Sequence, residues 1–193
     1  MASRVVRGTA IAAGVAAVVG GGVGFALGQP VQDEDVVPAR KLAADLCARL
    51  GDVSVLLPKA SSGRLAQSGS GAVTCSAVVG RQQASTFSAA SVKVTITPYG
   101  GKLAGAGEAP FTPAAMAKKA FDRSPFDAVP DRPYPTKGDQ TAVGLAGESF
   151  TTRVLVQRAD VVVLVEYTAS PVQAETARQA ATVLADRAIW ETK

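Results

Sequence analysis

The chain has 193 residues, 47% apolar and 19% charged, a balance typical of globular proteins and unlike that of disordered ones. Its formal charge is +4, but Arg4 and Arg7 stand alone in an acid-free N-terminal stretch, and the other 18 basic and 16 acidic residues leave a net of +2. No basic run is denser than Lys118–Lys119, so nucleic acid is not an expected partner, and the absence of His excludes Ser-His-Asp and Cys-His catalysis and His metal ligands.

Gly8 to Gly28 is 21 residues without a charge. As a helix it is about 30 Å long, the thickness of a bilayer core. Arg4 and Arg7 precede it and Asp33, Glu34 and Asp35 follow, so the positive-inside bias puts residues 1–7 in the cytoplasm and the rest outside. The length fits an uncleaved single-pass anchor. Seven Gly and six Ala make the stretch weakly apolar, and Ala26-Leu27-Gly28 also fits a signal-peptide cut after Gly28. Anchor and cleaved signal both stay open, and with them a cell-membrane or a secreted location. Residues 29–37 read as an acidic linker and 38–193 as an extracytoplasmic domain. Abundant Ala, Gly and Val, with Arg outnumbering Lys, resembles the product of a high-GC bacterial genome.

Pro38 suits a first helical position, and Leu42, Leu46 and Leu50 recur along one face, which predicts a helix over Ala39–Leu50 stopped by Gly51. Residues 67–71 are a Ser/Gly-rich loop by composition. Ala72–Val79 reads as a strand. Ser91–Tyr99 is a clearer one, with Val92, Val94 and Ile96 alternating against Lys93, Thr95 and Thr97. Thr112-Pro113 opens a short helix through Phe121 or Asp122. Arg123–Gln140, with four prolines and no periodicity, predicts a long connection. Glu148–Val156 alternates as a strand, and Val161–Val165 is a continuous apolar run expected of a central strand covered on both faces. Ser170-Pro171-Val172-Gln173 has capping-box form and predicts a last helix to about Trp190. Its Ala177, Ala180, Leu184 and Ala188 make a narrow stripe suited to close packing on a sheet.

The expected fold is therefore α+β. An antiparallel sheet of about four strands is flanked by an N-terminal and a C-terminal helix and preceded by one hydrophobic helix.

An even pair of cysteines in an exported chain predicts a disulfide, Cys47–Cys75. There is no CxxC, P-loop, dinucleotide fingerprint, G-x-S-x-G or S-x-x-K in the globular part, so no metal, cofactor or nucleophilic catalysis is expected. The candidate binding loop is Arg123, Phe126, Asp127, Asp131, Arg132 and Tyr134. Its aromatics offer contact area and its charges orienting contacts for an envelope protein, a lipid or a small ligand.

Leu46-Cys47-Ala48-Arg49-Leu50, a strand cysteine in Val73-Thr74-Cys75, and an apolar strand before an Ala-rich last helix resemble actinobacterial secreted and lipoprotein domains of unknown function. These are similar to LpqN-type lipoproteins and to the extracellular sensor domain of PknH-type kinases. Members often carry Trp two residues after the second cysteine and a lipobox; this chain has Ala77 and no lipobox. The resemblance covers about residues 40–190. It implies a PsbP-like α+β fold with a surface-exposed binding or accessory role and brings no catalytic residues. The expected function is a membrane-associated, non-enzymatic binding or sensor-like module. The alternatives are an envelope hydrolase using carboxylates among Glu148, Glu166 and Asp127, and a secreted structural protein.

Overall fold

The computed structural model describes residues 31–53, 56, 65–69, 71–79, 89–103, 105, 109–143 and 149–193. Gly8–Gly28 and Glu148 lie outside the described residues. Among those described, no helix is long and apolar enough to cross a membrane.

The alternating stretches form the centre of one antiparallel sheet. Its strands are β1 (Ala66–Ser68), β2 (Val73–Val79), β3 (Ala89–Pro98), β4 (Asp127–Ala128), β5 (Thr136–Ala142), β6 (Phe150–Arg158) and β7 (Val161–Ser170). Their spatial order is β1-β2-β3-β7-β6-β5-β4. Among the described residues three α-helices accompany them: α1 (Leu46–Arg49), α2 (Pro113–Asp122) and α3 (Ala174–Glu191). The α+β class holds, with seven strands among the described residues in place of the expected four or so.

The register sets which side chains share a face. Val94 pairs with Val165, and Val165 with Val154, so these valines stack in one row. All three are buried, together with Val92, Ile96, Val156, Val161 and Val163. α3 packs over this face through Ala177, Ala180, Ala181, Leu184, Ala185, Ala188 and Ile189, the stripe the sequence predicts with three more members. Small side chains let the helix lie close to the sheet. The opposite face is covered in part by α2, whose Ala117 and Phe121 meet Leu155 and Val162. β7 is thus buried on both sides where it is a continuous apolar run. Beyond Val165 it alternates, with Tyr167 and Ala169 buried, and continues to Ser170.

That extension moves the start of the last helix. Ser170 pairs with Ala89 as a strand residue, its hydroxyl meets that of Ser149 at 2.6 Å, and the N-cap is Gln173 rather than Ser170. The first helix is also shorter than predicted, Leu46–Arg49 instead of Ala39–Leu50. Residues 36–40 have no regular structure and are held by tertiary contacts instead. The Gly101 amide donates to the Val37 carbonyl at 2.7 Å, and Arg40 pairs with Asp160 at 3.2 Å. Leu46 and Leu50 are still buried as the apolar spacing demands. Gly51 ends the helix at φ 76°, a conformation costly to residues with a Cβ.

The Cys47–Cys75 disulfide is formed and ties α1 to β2. Both cysteines are buried in the main core, so the bond joins two layers at their contact.

Tyr167 gives a pH-dependent test of this core. Its hydroxyl donates to the Leu56 carbonyl at 2.9 Å, and burial pushes its phenol above the ordinary value of 10.0. Below about pH 10 the phenol is protonated in both folded and unfolded chains. Above it the unfolded chain loses its proton first, so stability falls as the pH rises. Tyr99, also raised by burial, carries a further part of that loss. Tyr167→Phe is expected to cost about 1 kcal/mol at neutral pH and to flatten the alkaline decline. Denaturant melts at about pH 7 and about pH 11 read both effects.

Candidate functional site

The stretch after α2 is not the irregular connection its composition suggests. It holds β4 and β5, which pair with each other and extend the sheet beyond β6. β5 carries few apolar residues, so its inward positions are satisfied by hydrogen bonds. The Thr136 hydroxyl donates to the Tyr134 carbonyl at 2.8 Å, and the Gln140 amide donates to the Thr152 hydroxyl at 2.9 Å and the Ala174 carbonyl at 2.7 Å.

Lys137 fastens this hairpin to α2. Its ammonium donates to the Phe121, Asp122 and Ser124 carbonyls at 3.2, 3.1 and 2.9 Å, at the end of the helix where the negative end of its dipole lies. It also lies 5.1 Å from the centre of the Phe121 ring. Lys137→Met is expected to cost about 1–3 kcal/mol, since a cation serving three carbonyls is lost. An unchanged denaturation midpoint would mean that water replaces it.

The six residues of the candidate loop do not converge on one site. Phe126 is half-buried against the α2 cluster, with the Arg153 guanidinium 5.6 Å above its ring. Tyr134 packs against the main core, with Arg158 at 5.5 Å. Both aromatics anchor the loop, so alanine at either position lowers stability. Arg132 forms an ion pair with Asp186 of α3. Asp131 is exposed at φ 56°, and Arg123 caps the end of α2. Arg123 also lines an open depression on that helix with Phe111, Lys118 and Lys119.

Asp127 alone of the six lines a cleft of about 360 Å³ between the β4–β5 hairpin and α3. Arg178, Thr182 and Asp186 recur at i, i+4, i+8 on α3, so they form one row along the helix. The row is bridged to the hairpin at both ends. Arg178 donates to the Gln140 side-chain oxygen Oε1 at 3.1 Å, and Asp186 accepts from Arg132. Between the bridges Thr182 lines the cleft, with Gly138, Val129 and Val154 among the other residues around it. Gly138 lets Val129 pack closely here, because a Cβ there would stand 3.2 Å from Val129 Cγ2.

Comparison with known proteins found no matching family model, no similar curated protein and no similar solved structure. The site is therefore read from its own chemistry. Among the described residues, no group of three or more Cys, Asp or Glu is arranged to hold a metal ion. Glu166 is paired with Lys93 at 3.1 Å. It follows Val165 on β7, whereas Asp127 aligns through Gly138 and Val154 with Val165 itself, so Glu166 and Asp127 belong to opposite faces of the sheet.

Sequence reasoning missed Gly138, Gln140, Thr152, Arg178 and Thr182. One signal was present: Arg178 and Thr182 lie beside the Ala stripe on a helix that must pack. Nothing local could link them to Gly138, 40 residues earlier.

Proposed function

We propose that the protein is an exported binding module held at a bacterial membrane by residues 8–28, with the β5–α3 cleft as its site. The observation that carries this is the buried Cys47–Cys75 disulfide, since such bonds persist in oxidising compartments outside the cytoplasm. The uncharged 21-residue stretch after Arg4 and Arg7 supplies the route of export. The resemblance to LpqN-type lipoproteins and to the extracellular domain of PknH-type kinases supports the same compartment and an accessory, non-enzymatic role.

The test is topological. A reporter enzyme active only outside the cytoplasm, fused after Lys193, should be active and should fractionate with the membrane. Activity in the culture medium would replace the anchor by a cleaved signal. A silent reporter with the protein in the cytosol would overturn export.

A further inference from the structure

We propose that the cleft between the β4–β5 hairpin and α3 binds a linear zwitterion two to three residues long, a short peptide with free ends. Its ammonium group meets Asp127 and its carboxylate meets Arg178. The proposal rests on reading the domain as a binding module.

Charges of both signs line the cleft: Asp139 and Arg153 pair with each other at 3.6 Å, whereas Asp127 and Arg178 each have bonding capacity to spare. The Asp127 carboxylate is exposed and has no side-chain partner among the described residues. The Arg178 guanidinium gives one N–H to Glu175 at 3.0 Å and one to Gln140 at 3.1 Å. A guanidinium has five, so three remain. Its position is fixed from behind, because Gln140 is itself held by Thr152 and the Ala174 carbonyl.

The register places Asp127 relative to Gln140, the residue whose side chain holds Arg178. Asp127 is opposite Gly138, and Gln140 lies two residues farther along β5. At about 3.4 Å per residue and about 4.8 Å between strands, Asp127 and Gln140 are about 8 Å apart. A single amino acid spans about 3.5 Å, short of that backbone separation, whereas two or three extended residues span about 7–10 Å. The middle of the site suits a backbone with small side chains. Gly138 contributes no side chain, Thr182 offers a hydroxyl, and Val129 and Val154 offer apolar contact. The volume of about 360 Å³ is at the lower end for small-molecule sites, as a short peptide requires.

The experiment titrates Ala-Ala-Ala into the full chain in detergent while backbone amide shifts are followed. Saturable shifts are expected at Gly138, Asp139 and Thr182, with a dissociation constant on the order of 0.1–1 mM. N-acetyl-Ala-Ala-Ala and Ala-Ala-Ala-amide should each bind about fivefold more weakly or worse. Asp127→Asn should weaken the free peptide to the level of the acetylated one and leave the acetylated one unchanged. Arg178→Gln should do the same with respect to the amide. No saturable shift up to about 20 mM, or equal binding of free and blocked peptides, overturns the assignment. Peptide binding and export fail separately: an active outside reporter without peptide binding removes this ligand and leaves the exported module, and the reverse removes export alone.

Discussion

Replacing Cys47 and Cys75 together by alanine is expected to lower the free energy of unfolding by about 3–4 kcal/mol. The sequence separation is 28, so the bond closes a loop whose freedom in the unfolded chain is sharply cut. The chain-entropy relation for that length gives about 3.6 kcal/mol. Alanine also removes two buried sulfur atoms, which adds to the loss. The effect should be local as well as global. β1 is an exposed three-residue edge strand, and β2 is fixed to the layer above it through Cys75. Without the bond, amide exchange should rise in β1 and β2 first, while β6 and β7, flanked by strands and covered by α3, stay protected. A shift below about 1 kcal/mol, or uniform exchange across the sheet, would mean that the packing of Leu46 and Leu50 already fixes α1 without help.

Leu184→Ala is expected to cost about 2–5 kcal/mol, and the neighbouring Val183→Ala less than about 0.5 kcal/mol. Leu184 is buried and is the largest side chain in the middle of the α3 stripe. The alanines around it have no longer side chains with which to fill the space it leaves, so the cavity persists. Val183 is 63% exposed and meets solvent on the far side of the same helix. Equal effects at the two positions would mean that α3 is not docked by one face. Urea or guanidinium melts of both variants at matched m-values decide the matter.

How much of this was legible depended on whether a residue's partner was local. Thr112-Pro113 marked the start of α2, and the Thr112 hydroxyl does accept from the Ala115 amide at 3.2 Å. The alternation at Val92, Val94 and Ile96 gave β3 its buried face, because a half-covered strand writes its environment into every second residue. β5 carried no such signal. Its inward Thr136, Gly138 and Gln140 are polar or bare, and they are strand residues because β6 pairs with them. Phe126 and Tyr134 read as contact surface in a proline-rich stretch, yet they face clusters that residues far away in sequence complete, such as Leu155 and Val162 for Phe126. The cleft was the least visible feature. Asp127 was singled out, but Arg178 reaches it only through the β4–β5 register and the docking of α3. Tertiary pairing chose these residues, and local propensity had no vote.

The most direct test of the central claim, a disulfide-closed domain outside the cytoplasm, is the thiol state of the protein taken from living cells. Alkylation under non-reducing conditions followed by mass spectrometry should find Cys47 and Cys75 joined and unmodified in nearly every molecule. Two alkylated thiols in the mature protein would contradict it.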